Sequence, residues 1–118
     1  MPLPESAIDR LRCFRNALAN WKTTDYVRFR ERVEAWLRTE VPQRSLFEIR
    51  RLLHEFVANG GAIDEQVERR PEYVSYEFHY DLRLIIDNRL VYFEMILHCD
   101  DPNDPDDPFL VVVSAHDV

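Results

Sequence analysis

The residues with the most chemistry in them lie between positions 79 and 94: His79, Asp81, Arg83, Tyr92 and Glu94. His79, Asp81 and Arg83 alternate along the chain, as do Tyr92 and Glu94, so in extended strands each set lies on one face. Asp87-Asn88 stands between them, and both residues tolerate positive φ, the signature of a two-residue hairpin turn. A turn there places Asp81 opposite Glu94, Arg83 opposite Tyr92 and His79 opposite Ile96, with paired Cβ atoms about 5 Å apart. Two carboxylates at that separation repel by roughly 3 kcal/mol at an effective dielectric near 20. The pair therefore predicts a relieving partner: Arg83, a shared proton or a bound cation. One reading is an acid–base site in which His79 or His116 carries the proton and Arg83 steadies a developing negative charge. Asp81, Tyr92, Glu94 and Ser114 then complete the groove. The alternative is the water-facing side of an antiparallel sheet, where alternating polar residues are expected. Tyr73, Ile85, Leu90, Tyr92 and Ile96 share that face, and such apolar content predicts a partial cover by a dimer partner, the connector or a ligand.

The elements around this hairpin follow from periodicity. Ala7, Leu11, Phe14, Leu18 and Trp21 make the stripe of an amphipathic helix from Glu5 to about Asn20. Thr23 or Thr24 can cap a second helix in which Tyr26, Phe29, Val33, Trp36 and Leu37 share a face, and Val41-Pro42 stops it. Ser45 and Glu48 form a capping box for a third, which Asn59-Gly60-Gly61 ends with the chain's two glycines. Residues 63–71 read as a connector, with Pro71 opening a strand. On the hairpin's second face the pairs are Leu84–Val91, Leu82–Phe93, Tyr80–Met95, Phe78–Leu97 and Tyr76–Cys99, all apolar or aromatic, so the register is well specified. A third strand runs from Phe109 to about His116. If it turns Phe109, Val111, Val113 and Ala115 to the helices, Ser114 and His116 join the polar face. The expected fold is α+β: three N-terminal helices packed on one face of a three-stranded antiparallel meander. It forms one domain over residues 1–118, with a helical half at 1–59 and the sheet at 72–116.

With 118 residues, 46% hydrophobic and 31% charged, the composition excludes a disordered tail and a membrane protein. Phe109-Leu-Val-Val-Val113 is a strand's length, and the opening residues show no basic or apolar leader, so a cytoplasmic protein is expected. Cys13 and Cys99 are read as reduced thiols. The net charge of −7 is uneven: +3 over residues 1–58 and −10 over residues 59–118. The acidic half disfavours nucleic acid and favours a basic protein surface, with a homodimer as the alternative. Residues 100–108 are dense in oxygen ligands but lack the glycine and closing glutamate of a calcium loop. His54 reads as a core-edge histidine, and Arg28, Arg30 and Arg32 as intrahelical ion-pair partners of Glu31 and Glu34. No nucleotide loop or metalloprotease motif is present, and neither metal nor cofactor is expected.

Phe78-His-Tyr-Asp-Leu-Arg83, Leu90-Val-Tyr-Phe-Glu94 and Val112-Val-Ser-Ala-His116, following a set of helices, resemble the small RelE/ParE and MqsR-type messenger-RNA interferase toxins over roughly residues 45–116. The resemblance implies metal-independent RNA cleavage on the sheet, with Arg83 as the phosphate-stabilising arginine and His79 or His116 as the acid–base group. Two functions therefore stand side by side: a non-catalytic interaction module (an inhibitor, immunity-like partner or regulator) working through the polar sheet face, and a metal-independent endoribonuclease.

Overall fold

The computed structural model describes residues 3–73 and 75–118. Its elements in chain order are α1 (Ala7–Ala19), β1 (Val27–Phe29), α2 (Glu31–Glu40), α3 (Leu46–Ala58), β2 (Asp64–Val67), a 3₁₀ turn (Pro71–Tyr73), β3 (Phe78–Ile86), β4 (Arg89–His98) and β5 (Phe109–Asp117). The strands form one five-stranded mixed sheet in the order β1-β5-β4-β3-β2, with β1 parallel to β5 and all other pairs antiparallel. This corrects the expected three-stranded meander behind three leading helices, because a strand precedes α2 and two short strands flank the central three.

Both missed strands had sequences that concealed them. Val27-Arg-Phe29 continues the apolar spacing of the following helix, so it reads as that helix's first turn. In the fold Val27 is buried, Arg28 exposed and Phe29 half-buried, the alternation of a strand. The helix begins only after Arg30, an extended N-cap that makes no side-chain cap bond. Asp64-Glu-Gln-Val67 is polar because β2 is an edge strand, and it pairs with β3 from Asp64–Asp81 to Val67–Phe78. Pro71 opens the 3₁₀ turn and no strand.

Where the expected register was sharpest it is observed. The β3–β4 ladder pairs Tyr80–Met95 through Ile86–Arg89 and includes Asp81–Glu94, Arg83–Tyr92 and Leu84–Val91. Its turn residues have φ of 51° at Asp87 and 67° at Asn88. The expected partners beyond Tyr80–Met95 fall outside this ladder. The Ser45 side chain accepts from the Glu48 amide while Glu48 accepts from the Ser45 amide, the anticipated capping box. Gly60 takes φ +90°, and a Cβ on Gly61 would meet the Phe56 carbonyl at 2.5 Å, so α3 ends where only glycines fit.

The inner sheet face carries Leu82, Leu84, Val91, Phe93, Met95, Leu110 and Val112 against Phe14, Leu18, Leu37, Ile49 and Leu53 of the helices, all buried. Each such side chain stabilises the fold by roughly 1.5–3 kcal/mol. Two polar contacts penetrate this layer among the described residues, one from Arg50 Nε to the Val27 carbonyl at 2.8 Å and one around Glu65. The Arg10 guanidinium donates to Glu65 at 2.8 Å from both Nε and Nη2, and the buried Tyr80 phenol donates to the same carboxylate at 2.8 Å.

On β5 the inward residues are Leu110, Val112 and Ala115, a correction to the expected Phe109, Val111 and Val113. The β4–β5 register shifts between Glu94 and Met95: Met95 pairs with Val112 and Glu94 with Ser114, leaving Val113 as the extra residue of a bulge. The bulge resets the phase. Ser114 and His116 therefore reach the outer face as expected, by a different route.

Candidate functional site

The outer face of β3 and β4 holds the carboxylate pair. Asp81 and Glu94 are directly opposite, with residue exposures of only 5% and 6%. The Tyr92 phenol donates to Asp81 Oδ1 at 2.6 Å and lies 3.3 Å from Glu94 Oε1. Burial, followed by the hydrogen bond to Asp81, pushes the Tyr92 pKa upward, so the phenol stays a proton donor. Arg83 contributes on the other side, 3.7 Å from Asp81 Oδ2 and 3.3 Å from Asp64 Oδ2 on β2.

The strongest relief comes from a residue outside the hairpin. The segment after β2 returns across the outer face, and its Arg70 guanidinium engages two carboxylates at once. Nε and Nη2 donate to Glu68 at 2.9 Å each, Nη1 donates to Glu94 at 3.2 Å, and Nη2 also donates to Glu94. This bidentate fork holds the Glu68 carboxyl down at about 2 and raises the pKa of Arg70 itself. His79 completes the cluster, with Nδ1 3.0 Å from Glu68 Oε2 and Nε2 3.8 Å from Asp81 Oδ1. Tyr73, from the same segment, packs on Ile96 and Val113, and its ring lies 4.5 Å beneath the Arg70 guanidinium. The cover demanded by the apolar residues of this face is thus, at this end, the connector.

Ligand atoms of Glu68, His79 and Glu94 lie within 4.8 Å of one another, a spacing a metal ion could use. Arg70 already spans the two carboxylates there, so the cluster's negative charge has its cation in the chain itself.

Of the sequence-selected residues Arg83 and His116 are exposed, with Tyr92 half-buried between them. Arg83, Tyr92 and His116 form a row across β3, β4 and β5. The Arg83 guanidinium stands 5.2 Å from the Tyr92 ring, and His116 stacks on that ring at 4.6 Å and 24°. Ser114 sits beside Glu94 in the next row. His79 and His116 therefore occupy different places: His79 against the buried carboxylates, His116 on the exposed side of Tyr92 with Nδ1 2.9 Å from the Asp117 carbonyl.

No family model, no curated protein and no solved structure matches this chain.

A second candidate lies at the far end of the sheet. A cleft of about 630 Å³ is lined by Leu3, residues 75–78, residues 97–100, Asp107 and Phe109. Its aromatic wall is ordered: His98 stacks on Phe109 at 4.5 Å and 3°, and Tyr76 meets His98 edge-on at 5.4 Å. Burial and the nearby Arg28 push the His98 pKa down. Arg28 stands at the rim, its guanidinium 3.9 Å above the Phe109 ring. Residues 100–107 bond mostly to themselves: Asp107 accepts from the Asp100 and Asp101 amides, Asp101 from Asn103 and Asp104 from Asp106. The carboxylates of Asp101, Asp104 and Asp107 cap local turns without meeting a cationic side chain, that of Asp100 accepts no hydrogen bond among the described residues, and the group does not converge as cation ligands would.

The residues that sequence reasoning missed are Asp64, Glu68 and Arg70, all within the supposed connector, and the cleft residues Tyr76, Glu77 and His98. Arg69-Arg70, a cationic pair in a strongly acidic half, was the one available signal for the connector's role.

Proposed function

We propose that the protein is a non-catalytic interaction module that takes an arginine- or lysine-bearing segment of a basic protein partner at the cleft between residues 75–78 and residues 97–109. The observation that carries this reading is where uncompensated negative charge collects. Of the fourteen acidic residues in positions 59–118, Asp64, Glu65, Glu68, Asp81, Asp87, Glu94 and Asp117 each have an arginine partner within 4 Å. Among the described residues no such partner accompanies Glu72, Glu77, Asp100, Asp101, Asp104, Asp106 or Asp107. Glu77, Asp100 and Asp107 line the cleft beside Tyr76, His98 and Phe109. Carboxylates around an aromatic wall suit a long cationic side chain, whose stem packs on the rings while its head group meets the acids. The polar face around Asp81 and Glu94 is a poorer docking place, since its buried charges are already paired within the chain.

The test uses a fluorescently labelled oligo-arginine peptide titrated against the full chain. Binding that weakens steadily with added salt and falls at least tenfold in Glu77→Gln/Asp100→Asn is the expected outcome. Salt-independent binding, or binding unchanged in that variant, contradicts the reading.

The Arg83–Tyr92–His116 row, half-buried at Tyr92 and exposed at both ends, favours a second reading, the metal-independent endoribonuclease. A cation and an imidazole flank one aromatic ring beside Glu94, which are the group types that stabilise a phosphorane and move a proton. It predicts that expression arrests growth and that Arg83→Ala and His116→Ala each lift the arrest. Normal growth on strong expression of the unaltered chain excludes it.

A further inference from the structure

We propose that Cys13 and Cys99 are a redox-active dithiol, which hydrogen peroxide entering through the cleft converts to an intramolecular disulfide. The two thiols are the only cysteines of the chain, 86 positions apart, yet their sulfurs lie 3.5 Å from one another. Cys13 sits on the buried face of α1 and Cys99 immediately follows β4, so the pair joins the helical layer to the sheet. An S–S bond needs about 2.05 Å, so the sulfurs close by a side-chain movement of about 1.5 Å.

Exposure orders the chemistry. Cys99 lines the cleft and is 5% exposed, whereas Cys13 is fully enclosed. Cys99 is therefore the sulfur that meets the oxidant and Cys13 the one that resolves it. The Cys99 thiolate attacks one peroxide oxygen, the O–O bond breaks, and the departing hydroxide leaves as water with the thiol's proton. Cys99 is then a sulfenic acid. The Cys13 sulfur attacks the Cys99 sulfur, the S–O bond breaks and a second water leaves. Two thiols and one peroxide become one disulfide and two waters, the two sulfurs supplying both electrons.

Burial pushes the Cys99 thiol up to about 12, so thiolate is scarce at neutral pH and the dithiol is the resting form. The oxidation rate then rises about tenfold per pH unit across the range in which the thiol stays mostly protonated. The disulfide would close a long loop between α1 and β4 and so raise thermal stability. This inference stands apart from the cleft's proposed occupant, since it needs only peroxide access.

The experiment treats the reduced full chain with hydrogen peroxide at pH 7, 8 and 9, following intact mass, free thiols after denaturation, and mobility without reductant. The expected product is a monomer lacking both thiols and two hydrogens, formed faster at each higher pH. Dithiothreitol should reverse it, and its melting midpoint should lie several degrees above that of the reduced form. Cys13→Ser should accumulate a Cys99 sulfenic acid that dimedone captures, and Cys99→Ser should keep its thiol. Thiols that survive at pH 9, disulfide-linked dimers, or Cys99 overoxidised with Cys13 still free would each overturn the proposal. Because serine replaces cysteine at core positions, the mass and thiol readings of the unaltered chain decide the matter if either variant fails to fold.

Discussion

Arg70 determines whether two carboxylates can share the outer face of this sheet. Glu68 has a side-chain exposure of 1% and Glu94 of 8%, and both receive two donors from the one guanidinium. Arg70→Ala leaves both without their cation, and a loss of about 3 kcal/mol in urea denaturation is expected. Arg70→Lys should recover only part of it, because an ammonium cannot make the planar double fork. The same contacts set the acid behaviour. Glu68 titrates near 2 in the folded chain against an ordinary 4.5, so its stabilising contribution is complete above pH 4.5 and lost as pH falls toward 2. That contribution is at most about 3 kcal/mol. Urea midpoints measured from pH 7 to pH 2 should fall through this window, and the fall should be shallower in Glu68→Gln. The hairpin residues of this cluster were legible in advance, since alternation and the Asp87-Asn88 turn fix who faces whom. Arg70 was not, because it lies in a segment with no periodicity and meets Glu94, 24 positions on, only through the tertiary fold.

At the scale of elements, the chain's clearest signals were long amphipathic runs and its weakest were short edge strands. α1 and α3 and the β3–β4 hairpin each repeat their pattern over nine or more residues. β1 and β2 have three and four, too few to separate a period of 2 from 3.6. The bulge at Val113 was illegible for another reason: Phe109 to Val113 is apolar throughout, so nothing in the residue types says which alternate set points inward. Its consequence can be tested. Deleting Val113 makes Val112 and Ser114 adjacent opposite Met95 and Glu94, so a regular ladder keeps Ser114 outward and Ala115 inward and loses only the packing of Val113 on Tyr73 and Ile96. Such a variant should keep the near-ultraviolet circular dichroism of a packed core at some cost in stability, and loss of that spectrum would contradict the assigned register. A milder change concerns the turn, where Asn88 holds φ 67°. Asn88→Gly should raise stability by about 0.5 kcal/mol in the same urea assay, because glycine takes this conformation without a Cβ penalty.

For the whole molecule, the division of charge matters more than its sum. Arg70 and Arg83 satisfy the acids of the outer sheet face, while Glu77, Asp100 and Asp107 are left without an arginine partner around the cleft. No helix among the described residues is long and apolar enough to cross a membrane. The acidic half is plain in the sequence, and the sequence-based expectation drawn from it is a basic partner docking on the face of Asp81 and Glu94. The fold buries and pairs those two and leaves Glu77, Asp100 and Asp107 unpaired beside Tyr76 and His98, a distribution that depends on which arginines come near which carboxylates and so on tertiary structure. The account turns on that location. It is tested most directly by amide and aromatic chemical-shift mapping of the isotope-labelled chain during titration with the oligo-arginine peptide. Perturbations centred on Tyr76, Glu77, His98, Asp100 and Phe109 are predicted, with Arg83, Tyr92 and His116 unmoved. Shifts centred on the Arg83–Tyr92–His116 row, or no shifts at low salt, would contradict it.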